Sequence, residues 1–131
     1  MGFDRKFLLW AIAFAIFGLC VGIYMAASKD HSLLVAHAHI MLVGFVVTLI
    51  YAIIHKLWLP APGRRIAWVQ HIVHIVSAIV LSVGLLLLYG GVFPEAILEP
   101  VLIPSTNGVL LGMLLMGWMV LRAGSGKRQQ A

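Results

Sequence analysis

The segment Leu33 to Ile54, LLVAHAHIMLVGFVVTLIYAII, decides the fold. It runs for 22 residues without a Lys, Arg, Asp or Glu. As a helix rising 1.5 Å per residue it reaches roughly 33 Å, close to the hydrocarbon thickness of a bilayer. Three other stretches share its character, so spans are predicted at 7–27, 33–55, 66–88 and 105–122. Helix is required of such segments in lipid, where backbone N–H and C=O groups must be paired within the segment. The fourth stretch is the shortest and calls for less tilt or for help from its flanks.

Composition agrees with this reading. Of 131 residues, 63% are hydrophobic and only 10% are charged, whereas soluble chains carry about 25% charge. The expected fold is a single all-α integral membrane domain over 1–131. Its short connections predict a four-transmembrane-helix up-down bundle. The first apolar block is too long for the core of a secretory signal, and no small-residue cleavage site clearly follows it, so it is read as a span. The single Cys20 lies mid-span and says nothing of disulfides.

The basic residues predict orientation. Arg5 and Lys6 precede the first span, Lys56, Arg64 and Arg65 lie between the second and third, and Arg122, Lys127 and Arg128 follow the fourth. Only Lys29 falls on the other side. The positive-inside rule then places both termini in the cytoplasm and the chain in the inner, cytoplasmic membrane. The net charge of +5 is a topology signal. No basic stripe alternates with aromatics, so the expected partner is the lipid bilayer and not nucleic acid.

The connections are read from their breakers. Residues 28–32 form one turn, and 56–65 form another around Pro60, Pro62 and Gly63. Residues 89–104 read as a long outer connection punctuated by Pro94, Pro100 and Pro104, with the apolar 97–103 dipping into the interface. Ser105, Thr106 and Asn107 are expected to cap the last span. Residues 123–131 read as a frayed polar tail. Gly18 with Gly22, and Gly108 with Gly112, are spaced to let helices approach closely.

Six histidines stand in this apolar chain. His31 and His55 are expected at span ends, where imidazole is unremarkable. His37, His39, His71 and His74 fall within spans, where ionisable groups default to functional hypotheses. At about 100° per residue, His37 and His39 point some 200° apart. One helix cannot aim both at one ion. His71 and His74 share a face near the opposite end of the third span, which disfavours a single four-histidine metal site within one chain. Three readings stay open: interhelical hydrogen bonds from neutral imidazoles, a proton relay, and haem, whose iron takes imidazoles from two different helices. A lone His-x-His does not choose between them.

The runs AHAHIMLVGFVVTLIYAIIHKL and RIAWVQHIVHIVSAIVLSVGLLLL resemble the haem-copper oxidase subunit I superfamily. They resemble more closely its small stand-alone four-span relatives and the haem-copper protein linked to nitric-oxide response. The resemblance covers about 55 residues of spans two and three; the remaining spans match only by hydropathy. It implies twelve helices in three arcs of four, with an His-x-His on the second helix of an arc. One imidazole of that pair binds the low-spin haem and the other binds the second haem. By that resemblance His37 and His39 are the cofactor-binding residues and iron ligands of a b-type haem. One four-helix chain then corresponds to one arc, and a homotrimer rebuilds the twelve-helix core, with His37 of one protomer and His39 of the next on each haem.

This chain departs from the family by lacking an adjacent His-His pair and the arginines near the haem propionates, for which only Lys29 or His31 is close in sequence. Copper and oxygen reduction are therefore not expected of it. The expected function is a bis-histidine membrane cytochrome for electron transfer, with haem and an unidentified redox partner. Alternatives are a haem, copper or proton transport or sensing module, and a non-catalytic assembly subunit. Met25, Met41, Phe45 and neighbouring leucines are expected to shield the macrocycle. The second ring nitrogens are expected to meet helix carbonyls one turn away, Thr48, Ser77, Ser82 or Tyr24.

Overall fold

A computed structural model describes residues 1–128, with side chains described through Ser125. Four helices carry the chain: α1 Phe3–Ser28, α2 Leu34–Leu57, α3 Arg64–Tyr89 and α4 Glu95–Arg128. All four are long and apolar enough to cross a membrane. The described residues contain no strand. The first three helices exceed the predicted spans by one to four residues at most ends.

The helices run antiparallel in chain order. Phe3 and Phe7 at the start of α1 stack on His55 near the end of α2. Thr48 of α2 meets His74 of α3, and Gln70 of α3 donates to the Gly112 carbonyl of α4. One end of the assembly therefore holds the start of α1, the α2–α3 turn and the end of α4; we call it the terminal end. The opposite end holds the α1–α2 turn, where α1 stops at Lys29 in the left-handed region with φ 60°. The helix α3 is central, and α4 packs chiefly on it.

The buried seam of α1 reads Phe7, Ala11, Phe14, Gly18, Val21 and Met25. Those steps of four and three are a heptad stripe, which keeps a narrow apolar edge turned to one neighbour. The rest of α1 presents large apolar residues outward, as a lipid-facing helix must.

The helix α2 follows another rhythm. Ala36, Ile40, Gly44 and Thr48 are all buried, one every four residues. On an ordinary α-helix such a repeat drifts about 40° per step and leaves the core within three steps. Residues Ile40–Val47 instead form a π-helical stretch. Its wider turns hold the four-residue repeat in line. Beyond it the α-helical spacing returns, with Thr48, Tyr51, Ala52 and His55 buried.

The fourth helix differs most from the sequence reading. It begins at Glu95, not at 105, and runs through Pro100 and Pro104. Each proline removes one hydrogen bond, freeing the carbonyls of Ala96 and Pro100. Ala96, Pro100 and Pro104 lie four apart on one exposed face, so the loss is confined to that face. Ser105, Thr106 and Asn107 do not cap an N-terminus. Their side chains donate back to the carbonyls of Leu102, Leu102 and Ile103. The expected outer connection shrinks to the residues between Tyr89 and Glu95. The expected frayed tail is helical through Arg128, and 129–131 lie outside the described residues.

Candidate functional site

The α1–α2 groove near the far end is where His37 lies. Its Nδ1 sits 2.9 Å from the Gly18 carbonyl oxygen. Its ring rests on Gly22, where an added Cβ would come within 3.2 Å of His37 Cε1. The Gly18–Gly22 pair therefore makes room for an imidazole and not only for a backbone. Met41 fills the neighbouring space against Gly18, which a Cβ there would crowd.

Two residues on, His39 takes another flank of α2. Its Nδ1 lies 2.8 Å from the Val35 carbonyl oxygen, one turn back. A carbonyl can only accept, so each Nδ1 carries the proton and donates. In a neutral imidazole so anchored, Nε2 keeps its lone pair. Neither Nε2 has a protein partner, and neither is among the buried orphaned atoms. Both contacts favour the tautomer in which Nε2 can serve as a metal ligand. A second nitrogen tied to a backbone carbonyl is the usual way such a ligand is oriented.

Of the partners expected for these rings, a helix carbonyl one turn away serves His39, while the neighbouring helix serves His37. Thr48 belongs to another histidine, and Tyr24 is exposed. Met25 is buried in the core, and Met41 and Phe45 are half-buried. Lys29 and His31 lie exposed in the turn at the same end as His37. In that turn Asp30 accepts from the Ser32 amide at 2.9 Å. The Ser32 backbone and hydroxyl hold the Asp30 carboxyl below its ordinary value of 3.8.

A second histidine group occupies the terminal end. His55, His71 and His74 are all more than nine-tenths buried, with Tyr51 and Gln70 beside them. The ring of His55 is stacked between Phe3 and Phe7, with centroids 5.5 and 5.4 Å away. His71 stands edge-on to Phe7 at 4.5 Å. His74 Nε2 lies 2.8 Å from Thr48 Oγ1, and that hydroxyl donates to the Val43 carbonyl within the π stretch at 3.4 Å. With its one proton so used, Thr48 accepts from the His74 Nε2–H. Six buried polar atoms here have no partner among the described residues: Tyr51 Oη, both His55 nitrogens, Gln70 Oε1, His71 Nδ1 and His74 Nδ1.

The sequence reading took His55 for an unremarkable residue at a span end, and the structure corrects it. Phe3 and Phe7, a turn apart on α1, close over His55 and exclude solvent. Tyr51 and Gln70 were missed as well. The available signal was the i, i+4 pair Tyr51 and His55 on α2, matched by Gln70, His71 and His74 on α3.

The two groups sit at opposite ends, as the spacing of the histidines implied. Among the described residues, no three His, Cys, Asp or Glu side chains gather to hold a metal ion. No model of a known protein family, no curated protein and no solved structure matches this chain.

Proposed function

We propose that the chain is a b-type membrane cytochrome in which His37 and His39 are haem ligands. One observation carries the reading. Both imidazoles are anchored through Nδ1 on backbone carbonyls and leave Nε2 unengaged on divergent flanks of α2. That donor set suits haem, which takes one neutral imidazole on each face. It does not suit a compact ion held by one chain. When bound, the haem supplies reversible one-electron chemistry at iron, and two imidazoles leave no open position for a substrate.

The remaining work falls to the protein. The Gly18 carbonyl and the flat surface of Gly22 hold His37 in one orientation, and the Val35 carbonyl holds His39. Lys29 stands exposed at the same end, where its charge would be available to a carboxylate of a bound haem. Because the two rings diverge, His37 of one protomer and His39 of the next share a haem in a homotrimer. That arrangement agrees with the resemblance of spans two and three to the oxidase core. The charge pattern orients both termini to the cytoplasm of the inner membrane and sets the haem near the outer face.

The test is a reduced-minus-oxidised spectrum of protein extracted in mild detergent, together with haem count and mass. Sharp, split ferrous bands with one haem per chain in a trimer are expected. Haem on a monomer would refute the shared site, and a protein that stays colourless after haem is supplied would refute the cytochrome. A second reading, in which histidines only tie helices together, draws on the His37–Gly18 and His74–Thr48 contacts. A colourless but stable protein would favour it.

A further inference from the structure

The turn joining α2 to α3 and the last turns of α4 enclose a groove of about 800 Å³ at the terminal end. Its floor is apolar, made by Leu59, Ile66 and Met119. Its rim carries Arg64, Arg65 and Arg122, with Trp58 and Trp118 beside them. No acidic residue lines it. Among the described residues the one ion pair is Lys56 with Asp4, outside the groove, so none of these residues pairs with the three arginines. The Arg122 guanidinium lies over the Trp118 ring, 4.6 Å from its centroid, which holds it at the rim.

Two of these arginines occupy the first turn of α3, where cations oppose the helix dipole. That turn has neither an acidic residue nor a side-chain cap. Three fixed positive charges around one concavity repel each other unless an anion joins them. The apolar floor and flanking tryptophans further specify the anion. A free phosphate needs no hydrophobic floor, whereas a phospholipid places its phosphate on the arginines and its chains on Leu59, Ile66 and Met119. Tryptophan is the residue that settles at headgroup depth. The volume also falls in the range of small-molecule sites. We infer that this groove is a binding site for an anionic phospholipid, independent of any haem.

The experiment titrates purified full-length protein in detergent with phosphatidylglycerol, phosphatidylcholine or inorganic phosphate, and counts bound lipid by native mass spectrometry. Phosphatidylglycerol is expected to bind and to resist displacement by the other two. Replacing Arg64, Arg65 or Arg122 with Gln should weaken binding about fivefold per arginine. Lys56→Gln, at the same end but outside the groove, should leave it unchanged. An Arg122→Lys variant that restores much of the binding lost in Arg122→Gln shows that the loss is of charge and not of folding. Equal binding of phosphatidylcholine, displacement by phosphate, or an equal loss in Lys56→Gln would each overturn the inference.

Discussion

The two ends of the molecule treat histidine in opposite ways. At the far end, His37 and His39 each spend one nitrogen on a carbonyl and leave the other open. At the terminal end, His55, His71 and His74 are enclosed by aromatic rings, and only one of their six nitrogens has a partner inside the protein while four are buried with none. Burial alone therefore does not mark a ligand. In the proposed cytochrome the oriented rings of His37 and His39 bind through their open nitrogens, whereas an enclosed, unpartnered nitrogen carries a desolvation penalty. In lipid that penalty is several kcal/mol for a fully isolated polar group.

The sharpest way to break this contrast is to delete one ring at each end. His37→Ala and His39→Ala should each abolish the low-spin bis-imidazole spectrum, while His55→Ala keeps it; a spectrum retained in either of the first two removes that residue from the site. Next in size is Gly22→Leu. Its side chain would occupy the seat of the His37 ring, already 3.2 Å from a bare Cβ. Haem content per chain should fall at least several-fold, while helix content by circular dichroism is preserved.

Stability separates the ends as well. Thr48→Val removes the single partner of His74 and should lower stability by about 1 to 3 kcal/mol, read as an earlier unfolding midpoint in a denaturing detergent. His55→Phe exchanges two orphaned nitrogens for apolar edge between Phe3 and Phe7. It should hold or raise the same midpoint, by about 1 kcal/mol. A marked loss there would mean that the His55 nitrogens are engaged by a group that Phe cannot replace.

The smallest effect belongs to the exposed far-end turn. The folded state of Asp30 has its proton affinity lowered by Ser32, so the turn gains stability when the carboxyl is charged. That contribution is complete above 3.8 and is lost as pH falls below it. The Ser32 amide shift, followed by NMR in micelles, should titrate at a pH below 3.8, and Asp30→Asn should remove the step.

Much of this was legible in the chain. Uncharged runs of helical length announced four helices long and apolar enough to cross a membrane. The divergence of His37 and His39 followed from helical geometry alone. The prolines misled: Pro100 and Pro104 read as breaks, yet spacing four apart puts them on one exposed face that a helix can forgo. The π stretch left only the trace of Ala36, Ile40, Gly44 and Thr48 recurring every fourth residue.

Sequence by itself determined the number of helices long and apolar enough to cross a membrane and the flanks on which the far-end histidines stand, since these depend on hydropathy and on the angle between successive residues. Tertiary structure alone decided that His37 meets the Gly18 carbonyl of a neighbouring helix, and that His55 is enclosed. Those outcomes rest on contacts between helices 19 to 52 residues apart in the chain, such as His37 with Gly18 and Phe3 with His55. No local pattern encodes where a second helix will place its glycines or its phenylalanines.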